Sequence, residues 1–177
     1  GKSHLMQFFF FFSIPEKDKP TEGVYIAEGR KFAVRDLEMK IDLEIEKLRD
    51  VDGSPDAYDQ WKRSADEADI ILYLLRVDLL FLHDKATAER IIQDIKQIVL
   101  WIKSRSGDKP KLFILGTHCD RDPKYAERNT NKDNVYIDTF RKLPCVRELI
   151  SEAGGISNVK IVLGSMKSLP DTEFLVF

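Results

Sequence analysis

The sequence predicts an α/β domain of three layers, built on a doubly wound, mostly parallel sheet. Three observations carry that expectation. The apolar runs Ile70 to Leu75, Leu112 to Leu115 and Lys160 to Leu163 are short, and the first reads as a strand covered on both faces. Between the first two runs, Ala88, Ile91, Ile92, Ile95, Ile98, Val99 and Ile102 fall on one helical face. The order strand, helix, strand, helix, strand from residue 69 onward implies right-handed crossovers.

The elements follow from local chemistry. Residues 3–12 suit a buried helix or a strand, and periodicity alone does not decide between them. The phenylalanine run Phe8 to Phe12 is expected in the core. Residues 13–23 read as a loop, with Pro15 and Pro20. From Val24 to Val51 the pattern is one of short strands. Ile41, Leu43 and Ile45 alternate with Asp42, Glu44 and Glu46, which gives an edge region with one wet face. After Asp50-Val51-Asp52-Gly53-Ser54-Pro55, the residues Tyr58, Trp61, Ala65 and Ala68 recur at helical spacing. Gly107 and Pro110 end the long helix, and Asp120 to Asn134 reads as a surface loop. Val146, Leu149 and Ile150 give a further helix, stopped by Gly154-Gly155. Trp61 and Trp101 are expected as helix anchors, and His4 and His83 as surface or loop residues.

Composition bounds the function. The chain has 177 residues, within the roughly 100–200 of one domain. It is 43% hydrophobic and 33% charged, too apolar for a disordered chain. A formal net charge of −2 gives no bulk reason to bind a nucleic-acid backbone. Two cysteines, Cys119 and Cys145, do not staple a domain of this size and suit a reducing, cytoplasmic setting. The apolar stretch from Leu5 to Ile14 is shorter than the ~20 residues of a membrane-spanning helix.

Four signals sit where an open α/β sheet binds ligands, beyond the carboxyl ends of its strands. Gly1-Lys2-Ser3 matches the end of the G-x-x-x-x-G-K-[ST] phosphate loop, in which the lysine bridges phosphate oxygens and the hydroxyl ligates Mg²⁺. Asp50-Val51-Asp52-Gly53 is a D-x-x-G: its carboxylate suits Mg²⁺ through water, and its glycine admits a backbone N–H to a terminal phosphate. An ordinary turn explains the same residues. Thr117-His118-Cys119-Asp120 resembles the [NT]-K-x-D base-recognition motif of GTP-binding proteins, with His118 at the lysine position. A carboxylate there accepts two hydrogen bonds from the guanine N1–H and N2–H₂ edge, a pair that adenine lacks. Gly164-Ser165-Met166-Lys167 resembles the S-A-K loop whose backbone touches guanine O6.

Taken together, these motifs resemble the Ras-like GTPase domain of the P-loop GTPase superfamily along essentially the whole chain. Pro20-Thr21-Glu22-Gly23 is similar to the switch I threonine segment, in a form like that of Roco-type GTPases. The resemblance implies GTP or GDP and Mg²⁺ as ligands, with regulatory or effector proteins as partners. It implies slow GTP hydrolysis and a molecular switch. Gly1, Lys2, Ser3, Thr117, His118, Asp120, Ser165, Met166 and Lys167 would bind the nucleotide. Ser3, Thr21 and Asp50 would serve the metal, and Lys2, Thr21 and Gly53 the reaction. Against the family pattern, residues 1–177 are expected to be a single domain lacking its first strand and last helix. Ser54 stands where many members carry a water-orienting glutamine. A degenerate, non-catalytic interaction domain is the rival reading.

Overall fold

The computed structural model describes Lys2, Leu5 and Phe8 together with residues 24–35, 40–51, 53–126 and 133–176. Among the described residues the β structure falls into two sheets. The first is an antiparallel pair, β1 (Val24–Arg35) and β2 (Lys40–Val51), in register from Val24 opposite Val51 to Arg35 opposite Lys40. The second is parallel, in the order β3 (Ile70–Arg76), β4 (Lys111–Thr117), β5 (Val159–Leu163). Ile70 pairs with Lys111, and Leu112 with Val159.

The helices are α1 (Tyr58–Glu67), α2 (Val77–Phe81), α3 (Lys85–Ser104), α4 (Pro123–Ala126), α5 (Asp133–Arg141), α6 (Pro144–Glu152) and α7 (Leu169–Val176). Lys2, Leu5 and Phe8 are also helical. Three of these helices carry visible start or stop signals. Asp84 caps α3 by accepting the Thr87 N–H at 2.8 Å. At the other end the Lys109 ammonium donates to the Ile102 and Lys103 carbonyls, 2.9 Å each, where the helix dipole is negative. Pro144 opens α6, and Gly154 and Gly155 close it with φ of 85° and 106°. Ser168 and Asp171 form a reciprocal cap on α7.

Alternation along the strands sorts side chains between two apolar layers. Leu75, Leu112, Ile114, Val159, Ile161 and Leu163 join the layer built with α1, α3 and α6. Leu115, with Leu72, Leu74 and Val162, joins the other, with Leu5, Met166 and Leu175. Ile45 and Leu48 of β2 pack on this second layer, which ties the hairpin to the parallel sheet. Phe8 is fully buried, as expected of a core position; Phe9 to Phe12 lie outside the described residues.

The strand at Ile70 is covered on both faces, as its apolar run implies: Ile71, Tyr73 and Leu75 pack on the first layer, Leu72 and Leu74 on the second. Its first residue, Ile70, is 53% exposed, whereas Ile114 on the central strand is inaccessible. Two expectations differ from the structure. The short strands between Val24 and Val51 are two strands of 12 residues each. The polar stretch after Asp120 holds two helices, α4 and the start of α5. Tyr125, Tyr136 and Phe140 anchor them, with ring centroids 5.2 Å apart for the two tyrosines. Trp101 is buried and Trp61 half-buried, both on helices, as anchors should be.

Candidate functional site

The parallel strands β4 and β5 end side by side, and their outgoing loops are stitched together by backbone. The Gly164 N–H donates to the Gly116 carbonyl at 2.8 Å, and the Cys119 N–H to the Gly164 carbonyl at 3.2 Å. This closeness requires Gly116. A Cβ there would lie 2.4 Å from Leu163 Cδ2 and 2.6 Å from Val77 Cγ2. The stitching brings two of the sequence motifs face to face. The Ser165 hydroxyl donates to Asp120 Oδ1 at 2.8 Å and accepts the Lys167 N–H at 3.1 Å. Ser165 is 1% exposed, whereas Asp120 is exposed. A buried hydroxyl thus fixes one oxygen of a carboxylate that faces solvent. Met166 turns its side chain into the second apolar layer, and Lys167 is exposed.

Thr117 and His118 are fixed from the strand side. Thr117 Oγ1 donates its single proton to the Leu75 carbonyl at 3.0 Å, so at 2.9 Å it accepts from His118 Nδ1. That assigns the Nδ1–H tautomer, with Nε2 as the acceptor. His118 has φ 61°, a left-handed backbone that a side chain adopts at some cost. Burial holds its pKa below the ordinary value, helped by the Arg76 and Arg121 charges. Both arginines converge on Asp78: Arg76 forks onto the carboxylate at 3.1 and 2.5 Å, and Arg121 approaches to 3.4 Å. Burial alone would raise the Asp78 pKa. The Arg76 hydrogen bond and charge outweigh it, and the carboxyl sits below its ordinary value. Sequence reasoning missed this clamp. Its signal was the R-x-D spacing at the end of a buried strand.

A second group forms where β2 ends. The Lys2 ammonium donates to the Val51 carbonyl and lies 3.7 Å from Asp50 Oδ1. Asp50 is 7% exposed. Gly53 lies against the same ammonium: a Cβ on it would stand 3.3 Å from Lys2 Nζ. Three residues from two separate motifs therefore meet. Gly1, Ser3 and Thr21 lie outside the described residues.

Behind Gly53 stands a polar network that the sequence reading did not single out. Asp94 on α3, 3% exposed, accepts from Tyr58 at 2.5 Å, Tyr73 at 2.7 Å and Arg90 Nε at 2.7 Å. Burial, together with the Asp94 hydrogen bond and charge, pushes the Tyr58 pKa up to about 12 and raises that of Tyr73 as well. The Arg90 guanidinium also lies 5.8 Å from the Tyr58 ring centroid and 5.9 Å from that of Trp61. Arg90 Nη2 donates to the Gly53 carbonyl at 3.0 Å.

Among the described residues there is no cluster of three or more His, Cys, Asp or Glu able to hold a metal by itself, and no helix long and apolar enough to cross a membrane. Cys119 is a buried thiol, and Cys145 a half-buried one whose pKa is raised by burial. Comparison of the sequence with protein-family models and with curated proteins returns no match.

Proposed function

We propose that the protein binds a guanine nucleotide with Mg²⁺ and hydrolyses its terminal phosphate slowly, as a molecular switch. The observation that carries this reading is the Ser165–Asp120 hydrogen bond at the carboxyl ends of adjacent parallel strands. It orients an exposed carboxylate, the group that a guanine N1–H and N2–H₂ edge would pair with. The meeting of Lys2, Asp50 and Gly53 supports a phosphate end to the same ligand. Lys2 would neutralise phosphate charge as it develops. A carboxylate and hydroxyls are the hard oxygen donors that Mg²⁺ takes, so Asp50, with Ser3 and Thr21, would hold the ion. Bound there, Mg²⁺ would supply further charge neutralisation on the phosphates. In the reaction, water attacks the terminal phosphorus and the bond to the bridging oxygen breaks, giving GDP and phosphate. Ser54, half-buried after Gly53, offers a hydroxyl where a water-orienting amide would speed that attack.

Competition binding among GTP, GDP, ATP and xanthosine triphosphate tests the reading. GTP and GDP should compete and ATP should not. Asp120→Asn should weaken GTP and favour the xanthine nucleotide, whose C2 oxygen suits an amide donor. Equal affinity for ATP and GTP overturns the roles of Thr117 and Asp120. Guanine binding with no turnover under any condition selects the non-catalytic interaction domain.

A further inference from the structure

We propose that Arg90 is a positioning residue for the Gly53 peptide, and that the unit Arg90–Asp94–Tyr58–Tyr73 holds Gly53 against Lys2 so that the site favours a triphosphate over a diphosphate. The inference rests on the nucleotide-binding reading and adds to it a device for sensing the terminal phosphate.

A free arginine side chain is a poor positioning device, because it loses rotamer entropy when it is held. Arg90 is held already. One edge of its guanidinium is bound to Asp94 at 2.7 Å, one helical turn along α3. Asp94 is in turn fixed by two phenol hydroxyls from different elements, Tyr58 on α1 and Tyr73 on β3. The guanidinium plane lies against the Tyr58 and Trp61 rings. A second nitrogen, Nη2, reaches 3.0 Å to the Gly53 carbonyl, 37 residues away in sequence. The Cα of Gly53 lies against the Lys2 ammonium, which is 3.3 Å from where a Cβ would be. Glycine has the widest choice of backbone conformations, so an unheld peptide here would sample many. A cation on its carbonyl from one side narrows that choice. The residue stays where a terminal phosphate drawn to Lys2 would meet it.

The geometry also says which substitution separates the roles. Lysine keeps the charge beside Asp94, but its single nitrogen cannot reproduce the span of the guanidinium, which meets Asp94 through Nε and Gly53 through Nη2. The test compares wild type, Arg90→Lys and Arg90→Met for binding of GDP and of a non-hydrolysable GTP analogue, alongside thermal unfolding. Amide ¹⁵N shifts of Gly53 and Ser54 are recorded without nucleotide. For Arg90→Lys the expected result is an unfolding midpoint close to wild type, displaced Gly53 and Ser54 amide signals, and about tenfold weaker binding of the GTP analogue with GDP within about twofold; tenfold is the low end for a hydrogen bond from a charged group. Unmoved Gly53 and Ser54 signals overturn the positioning role whatever the nucleotide does. Displaced signals with equal loss of both nucleotides, or loss of neither, overturn the discrimination between them. Absence of binding of either nucleotide by wild type overturns the proposed function and this discrimination with it. If Arg90→Met unfolds, Arg90→Lys and the wild-type comparison still decide.

Discussion

Replacing Gly116 by alanine adds one methyl group where β4 and β5 are closest, and the structure gives the cost. The new carbon would sit 2.4 Å from Leu163 Cδ2 and 2.6 Å from Val77 Cγ2, against about 3.5–4.0 Å for ordinary carbon contacts. Both neighbours belong to the main apolar layer, where Val77 is inaccessible and Leu163 is 8% exposed, so neither has open space to move into. Leu163 has a second rotatable bond, whereas Val77 is β-branched and on a helix, with one strongly preferred rotamer. The penalty therefore falls in the upper half of the overpacking range, about 2–3 kcal/mol. At roughly 2–4 °C per kcal/mol for a chain of this size, the melting temperature should drop by about 4–12 °C. Urea unfolding followed by circular dichroism measures the free energy directly. Leu163→Val in the same chain should recover about 1 kcal/mol of the penalty, because the two positions share one clash. A cost under about 0.5 kcal/mol, or strict additivity of the pair, would refute the packing argument. The same substitution should weaken guanine nucleotide binding, since Gly116 also receives the Gly164 N–H that sets Ser165 beside Asp120.

Three further outcomes are expected. His118 has a folded pKa below its ordinary 6.5, so its contribution to stability is present above that value and lost as pH falls through the lower folded value; stability should decline on acidification in that window, less so in His118→Gln, and an identical acid limb in both would count against it. Tyr58 holds its proton to about 12, so its contribution is present below the ordinary 10 and is lost as pH rises between the two. Urea midpoints across that window should fall more steeply for wild type than for Tyr58→Phe, and parallel slopes would contradict the Asp94 network. Single-turnover hydrolysis of GTP should be slow and should rise in Ser54→Gln, whose amide can orient water; fast turnover by wild type would transfer that role to another side chain.

The elements legible in the sequence are those whose pattern is set by burial. The long apolar face from Ala88 to Ile102 repeats at helical spacing, and the continuous run Leu112 to Leu115, bounded by Pro110 and Gly116, reads as a buried strand. Tyr125, Tyr136 and Phe140 were hidden because charged and amide residues surround them, so hydropathy averaged over the segment reads as a loop. At the site, the sequence placed Asp120 and Ser165 each just beyond a buried strand, and the fold supplied the hydrogen bond between them. Motif spacing was silent on Asp78 and Asp94. For Asp94 the two phenols arrive from other elements, and a carboxylate paired with an arginine one turn away looks like a solvated helix face until the fold delivers them.

The parallel order of the second sheet also sets a sequence of events. The β1–β2 hairpin closes locally, and little chain entropy opposes it. By contrast, Ile70 must find Lys111, and Leu112 must find Val159, across whole intervening helices. Such nonlocal pairings are slow to form. Asp120 and Ser165 lie beyond these pairings, so the carboxylate-bearing corner is expected to assemble late on the folding route. Interactions absent from the folding transition state govern the unfolding rate rather than the folding rate. A nucleotide spanning that corner would therefore act as a kinetic lock, lengthening the lifetime of the native state while leaving its rate of formation nearly untouched.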